Sequence, residues 1–406
     1  MLKRLYVVAL MFVLLLSACA GQQESVKKGE VITQLPDMLC RFLTMGDVDE
    51  DGKNEIVASP LKSGIWVLNY ENGQWNKTKI ESNSSSFEHA TLIADLNHDT
   101  KNEIYVAADD QQKLNCYKWN GSGYDKEEIA SIPDGALTFG VTPGKISSTS
   151  SADMPDLVLT QAQFVREKDE NGKVRQVPGA ARMELVFKTD RGWKTEVIED
   201  PESNVFHKAL PFVNAEGNEG LLTIGANAAM LKFWTHKKGK WTAETLYQNE
   251  FGGEQNRLRD IEIGDVTGDG KDDLVIATHD QGIVLVLQFN NNKWEAAEID
   301  HTPNTFVHEI ELGDIDGDGI KEIFSTPSEP NKLDGTIQPG LIPMYKYDGQ
   351  KFVRSVVEEF PTRHVKEILC ADIDKDGKPE LYYAVEADME EMMKGKGHVD
   401  IKQYKF

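Results

Sequence analysis

Five stretches of this chain repeat one arrangement of oxygen-bearing side chains. They are Asp47, Asp49, Asp51 and Glu55; Asp95, Asn97, Asp99 and Glu103; Asp265, Thr267, Asp269 and Asp273; Asp314, Asp316, Asp318 and Glu322; and Asp372, Asp374, Asp376 and Glu380. Each set falls at positions 1, 3, 5 and 9 of its stretch, and glycine stands at position 6 in all but one, where Thr100 replaces it. Calcium takes about six to eight hard oxygen ligands, and a sharply turning loop with this spacing supplies them. The expectation is five Ca²⁺ loops, with the one carrying Thr100 the weakest, because position 6 favours a residue free to adopt positive φ. An EF-hand shares the first half of the pattern but carries its last acid at about position 12 and lies between helices. Here the acid at position 9 runs straight into β-branched and apolar residues, as in Glu55-Ile-Val-Ala and Glu322-Ile-Phe. Each loop therefore joins two strands.

The spacing of the loops sets the architecture. Asp47 and Asp95 are 48 residues apart and Asp265 and Asp314 are 49 apart, while the gap from Asp95 to Asp265 spans 170. That gap holds three intervals of about 57, and so two repeats that have lost their liganding acids, around Phe139–Leu159 and Leu210–Ile224. An aromatic residue opens the last strand of each unit: Trp75, Tyr124, Trp193, Trp241, Trp294 and Phe352. Seven all-β units of four short strands predict a seven-bladed β-propeller, with calcium loops between the first and second strands of five blades. The last unit is one strand short at its C-terminal end. Residues 26–37 resemble the outer strand that precedes it, so an N-terminal strand is expected to complete blade 7 and close the ring.

Loops of the form Asp-x-Asp-x-Asp-Gly-x-x-Asp/Glu-apolar in a seven-unit β pattern resemble the FG-GAP or VCBS repeats of integrin α-subunit-like propellers. The resemblance covers nearly all of residues 40–406 and implies the propeller and its calcium. It says little of activity, because such domains serve as adhesins, binding modules and attachments to enzymes.

The N-terminus reads as a processing signal. Lys3 and Arg4 precede an apolar run from Leu5 to Leu16, which ends in Leu16-Ser-Ala-Cys19. That tetrapeptide resembles a bacterial lipobox, which implies lipidation of Cys19. The expected organisation is a signal peptide over 1–18, the lipidated cysteine and a tether over 19–25, and the propeller over 26–406. This predicts an exported lipoprotein anchored at the outer membrane or cell surface. Cys40, Cys116 and Cys370 have neither metal nor redox spacing and read as buried apolar fillers. The formal charge of −23, about −13 once five Ca²⁺ are counted, argues against nucleic acid as a partner.

Six residues before each first loop position stand Arg41, His89, Arg259, His308 and Lys366. Blade 4 offers His207 or Lys208 there, and blade 3 offers Thr142. In a propeller these positions converge near the axis, on the face opposite the calcium loops. The same face carries three enlarged connections, near 163–182, 327–339 and 387–397. Two explanations stand for the basic positions: a funnel binding an anionic or polyhydroxylated ligand, or cross-blade ion pairing such as Lys366 with Glu309. Three functions follow in order. The first is a non-enzymatic, calcium-stabilised, lipid-anchored envelope propeller that binds a glycan or protein. The second is an envelope lyase or hydrolase acting on an acidic polysaccharide, and the third a structural subunit of an envelope complex. No phosphate loop, Gly-x-Ser-x-Gly or His-Glu-x-x-His motif marks an enzyme.

Overall fold

The computed structural model describes residues 28–82, 89–168, 173–225, 229–253, 256–303, 305–329 and 336–406. The segments assigned to the signal peptide and tether, with Cys19, lie outside the described residues. Seven antiparallel sheets are formed, each with its strands in meander order; the third carries one additional strand, Val174–Pro178, paired with Leu157–Lys168. The first strands are Cys40–Gly46, His89–Ala94, Ala136–Pro143, Phe206–Val213, Leu258–Gly264, Phe306–Gly313 and Val365–Ala371. First strands of successive blades pack side by side, and that of blade 7 packs against that of blade 1. This is a β-propeller. The second strands are buried from end to end, as Glu55–Pro60 and Asp273–Thr278 illustrate. The fourth strands are mostly exposed, as in Lys293–His301. The β-branched and apolar runs thus lie midway along each blade radius, between neighbouring sheets.

The seventh sheet has the order Glu30–Leu35, Val399–Tyr404, Glu380–Val385, Val365–Ala371. Its outer strand comes from the N-terminal segment, with Leu35 opposite Val399 and Glu30 opposite Gln403. Leu35 is fully buried in a cluster that also holds Leu43, Ile56, Tyr382 and Ile401, and so touches blades 7 and 1 together.

The register fixes which end of each blade carries which loops. In blade 5, Gly264 lies opposite Asp273 and Leu258 opposite Thr278. The acidic loops therefore occupy one end of the ring, and the starts of the first strands share the other end with the connections between second and third strands. Of the three enlarged connections, that of blade 3 is an extended hairpin. That of blade 7 holds a single helical turn, Met389–Met393, whose first N–H groups are capped by Asp388. That of blade 6 is joined at its base by Glu329 N–H to Pro339 O at 3.1 Å.

Blades 6 and 7 approach closely near their acidic loops. A Cβ on Gly313 would lie 2.0 Å from Cys370 Sγ, so only glycine fits there. The three described cysteines are free thiols.

Because Leu35 is buried and Val31 on the same strand is 51 % exposed, the two report on the role of that strand separately. Leu35→Ala is expected to cost about 2–5 kcal/mol in urea unfolding, and Val31→Ala no more than about 0.5 kcal/mol. Equal small losses would show that the strand contributes little to the fold.

Candidate functional site

The five acidic loops share one backbone design. The position-1 aspartate accepts the position-6 N–H in every loop: Gly52 to Asp47, Thr100 to Asp95, Gly270 to Asp265, Gly319 to Asp314 and Gly377 to Asp372, all at 2.8–2.9 Å. The position-9 acid accepts the position-2 N–H in blades 1, 5 and 6, from Val48, Val266 and Ile315. Position 6 is left-handed throughout, and Thr100 takes it at φ 72°. That is a strained choice for a β-branched residue, and it is the position the sequence marks as weakest. Three carboxylates gather within 4.8 Å of one another in blades 1, 6 and 7: Asp47, Asp49 and Glu55; Asp314, Asp316 and Glu322; Asp372, Asp374 and Glu380. In blade 1, Asp47 Oδ1 is buried and has no donor. Burial, reinforced by Asp49, Asp51 and Asp47, pushes Glu55 up to about 8. Lys53 balances Asp51 at 2.8 Å, while Asp47, Asp49 and Glu55 pair with no cation among the described residues.

At the other end, the first strands of all seven blades line an axial cavity of about 290 Å³. Arg259, His308 and Lys366 are on its wall, as are His207, Lys208 and Thr142. Arg41 instead reaches toward Glu386, at 3.9 Å, and is absent from the lining. The side chain of His89 lies outside the described residues. A register shift marks the first strand of six blades: between Cys40 and Phe42, Thr138 and Gly140, Phe206 and Lys208, Leu258 and Asp260, Val307 and Ile310, and Val365 and Glu367. Such a bulge re-aims the skipped residue, which here is Arg41, Phe139, His207, Arg259, the pair His308 and Glu309, or Lys366. The skipped residue is Phe139 in blade 3, where Thr142 also lines the cavity, and His207 in blade 4.

The ring is not simply basic. Asp260, Glu262, Glu309, Glu311 and Glu367 also line the cavity. Lys208 sits 3.0 Å from Asp260 and 2.5 Å from Glu262. Lys366 pairs with its neighbour Glu367 at 3.3 Å and not with Glu309. Several acids have a structural task. Asp260 accepts Ile310 N–H at 2.7 Å, Glu309 accepts Ile368 N–H at 2.8 Å, and Glu311 accepts Cys370 N–H at 3.0 Å, each from the next blade. Burial raises Glu309, with Glu367 and Asp260 adding to the effect, and carries Glu311 to about 8 with help from Glu262. Glu262 and Glu311 went unpredicted. Their signal was the alternation Asp260-Ile-Glu262 and Glu309-Ile-Glu311, which puts both acids of each pair on one strand face.

A file of rings borders the mouth. Phe139 packs on His207 with centroids 4.9 Å apart, His207 stacks on His279 at 5.8 Å, His279 meets Phe306 at 3.8 Å, and Phe306 meets His308 at 4.6 Å. His308 then stacks on His364 at 5.1 Å, and His364 Nε2 lies 2.9 Å from Glu386. Neither ring nitrogen of the buried His207 has a hydrogen-bond partner. Burial, then Arg259 and Arg257, holds His207 well below the usual histidine range, and burial with His364 does the same for His308. Uncharged His207 and His308 leave Lys208, Arg259 and Lys366 as the cations of the cavity wall.

Residues 265–325 match the FG-GAP-like repeat family model. The chain is a β-propeller that carries an FG-GAP-like repeat. Among solved structures, it is similar to BBS1N in complex with ARL6DN, soaked with mercury, at 12 % identity over 94 % of this chain and 97 % of that one, with a TM-score of 0.53. The lead-soaked form of that complex gives 11 %, 92 %, 98 % and 0.51. AofleA from Arthrobotrys oligospora matches at 11 % identity, over 84 % of this chain and 94 % of that one, with a TM-score of 0.45. The likeness to the two forms of the BBS1N complex extends to fold. No curated protein sequence matches the chain. The matched segment holds the acidic loops of blades 5 and 6.

An acid whose pKa is raised on folding holds its proton better in the native state, so its contribution weakens as pH rises from its unfolded value toward its folded one. For Glu311 that window runs from 4.5 to about 8. Chemical denaturation of wild type and Glu311→Gln across it should show the variant gaining on wild type as pH rises. A constant difference would place Glu311 in contact with bulk solvent.

Proposed function

We propose that this chain is a calcium-stabilised, lipid-anchored binding propeller of the cell envelope, presenting its loop-rich face to a glycan or protein ligand. The observation that carries the reading is the axial cavity. It opens at the end of the ring that bears the enlarged connections, and charged side chains line it without filling it. Concave sites with a few convergent polar groups are where propellers and other folds take ligands. Arg259 and Lys366 at the mouth suit an anionic group, while the carboxylates deeper in the channel suit hydroxyl or amine donors. A sugar bearing a carboxylate meets both demands.

Calcium belongs to the opposite end of the ring, in the acidic loops, where its work would be to stiffen turns and relieve carboxylate repulsion. The blade 1 loop fits such an ion, because a buried oxygen of Asp47 lacks any donor and three carboxylates converge there. The lipid anchor follows from the Leu16-Ser-Ala-Cys19 sequence alone. The strand Glu30–Leu35 would act as the latch of the ring and place the tether beside blade 7.

A second reading, an envelope enzyme acting on an acidic polysaccharide, is favoured by one observation. A neutral, unpartnered His207 shares the cavity with carboxyls of raised pKa, a pairing suited to proton transfer.

The chain from Ala20 onward, in millimolar calcium, should be tested against acidic and neutral polysaccharides for retention and for chain shortening. Retention of the acidic members without cleavage is expected, and Arg259→Ala with Lys366→Ala should weaken it at least about tenfold. Shortened chains, lost in His207→Ala, would establish the enzyme. No retention of any polysaccharide would redirect the search to protein partners.

A further inference from the structure

The loops differ in one feature that lies outside them, on the third strand of each blade. The pairs Ile56–Leu68, Ile104–Tyr117, Leu274–Leu287, Ile323–Tyr345 and Leu381–Tyr404 set the register between second and third strands. One step along, the residue facing the position-9 acid is Asn69 in blade 1, Lys118 in blade 2, Gln288 in blade 5, Lys346 in blade 6 and Lys405 in blade 7. An amide stands there in two loops and a lysine in three.

The lysines of blades 6 and 7 turn into their loops. Lys346 Nζ contacts Asp316, lies 3.1 Å from Asp318 and 2.9 Å from Glu322, and so meets the acids of positions 3, 5 and 9 at once. Lys405 Nζ lies 2.5 Å from Asp374 and 3.2 Å from Glu380, positions 3 and 9 of its loop. In blade 1 the equivalent Asn69 gives a single neutral hydrogen bond to Asp49, at 3.0 Å. In blade 5 Gln288 donates to Thr267 at 3.2 Å. Blade 2 is intermediate: Lys118 leans to Glu127 at 2.9 Å, and the Asn97 amide itself donates to Glu103 at 2.9 Å.

Three carboxylates within 4.8 Å repel one another unless a cation lies among them. An ammonium bonded to positions 3, 5 and 9 stands where a metal bound by those same oxygens would stand, and both cannot be there. We propose that the third-strand residue facing the ninth loop position decides which loops take calcium, with Lys346 and Lys405 serving as built-in counter-cations in blades 6 and 7, and Asn69 and Gln288 leaving blades 1 and 5 open to the ion. This rests on the calcium reading of the loops given above. It revises the number of strong sites from five to two. It also makes blades 6 and 7, which hold the N-terminal strand and most of the axial carboxylates, independent of the ion.

The test counts bound calcium in the full chain by native mass spectrometry and by isothermal titration, alongside the melting temperature in EDTA. Wild type should bind two ions. Lys346→Gln with Lys405→Gln should bind four, melt lower than wild type in EDTA, and recover when calcium is added. Asn69→Lys should weaken binding at its loop at least about tenfold, leaving one strong site, and should raise the melting temperature in EDTA. Four or five ions in wild type, with a count unchanged by either substitution, would overturn the inference and leave the calcium reading intact. No bound calcium in any variant would end the calcium reading. In that case a lower melting temperature of the double glutamine variant in EDTA would still establish the lysines as counter-cations, and an unchanged one would remove that role too.

Discussion

Seven sheets arranged round one axis crowd their first strands together, and the backbone there needs partners that a single sheet does not provide. Carboxylates from the preceding blade supply them. Asp109 accepts Thr138 N–H, Asp260 accepts Ile310 N–H, Glu309 and Glu311 accept from Ile368 and Cys370, and Glu386 accepts from Cys40. A buried N–H left unmade costs more than a made bond contributes. The charged acceptor is also stronger than a neutral one. These bonds join blade 2 to 3, 5 to 6, 6 to 7 and 7 to 1, so they help set the rotation of the sheets at four of the seven interfaces. The same requirement explains the acidic axial wall: carboxylates that serve the backbone with one oxygen present the other to the cavity.

The bulges follow from the same crowding. A strand that pairs on one side with its own sheet and packs on the other against a neighbouring blade cannot turn every side chain to the axis. One skipped residue near its start lets two consecutive side chains, such as Arg259 and Asp260, reach the same lumen. Cation and acid therefore stand side by side on the walls of blades 5 and 7, while blades 1 to 3 contribute apolar and hydroxyl side chains.

At the opposite end, the loops are folded by their own backbone. The N–H of position 6 on the first aspartate closes each turn, and what varies is how the gathered negative charge is balanced. An amide and an ammonium at one cross-strand position give two solutions on a common frame. Their alternation among blades means that the repeats share a shape without sharing chemistry.

The acidic spacing, the strand that follows each loop and the aromatic opening each fourth strand were local patterns, and they were enough to give seven all-β units and their order. Arg259, His308 and Lys366 were found by counting back from the loops, because strand length is nearly constant between repeats. In blade 3 the count gives Thr142, which lines the cavity, but it does not reveal that a bulge brings Phe139 there too, since a register shift depends on the partner strand. The file of rings from Phe139 to His364 and the lysines inside two acidic loops were equally silent. Their members are brought together from different blades or from a strand two positions away in the sheet. The sequence by itself determined what repeats, because periodicity is a property of neighbours along the chain. The tertiary structure alone decided which charge faces which, because that depends on the angle and register at which separate strands meet.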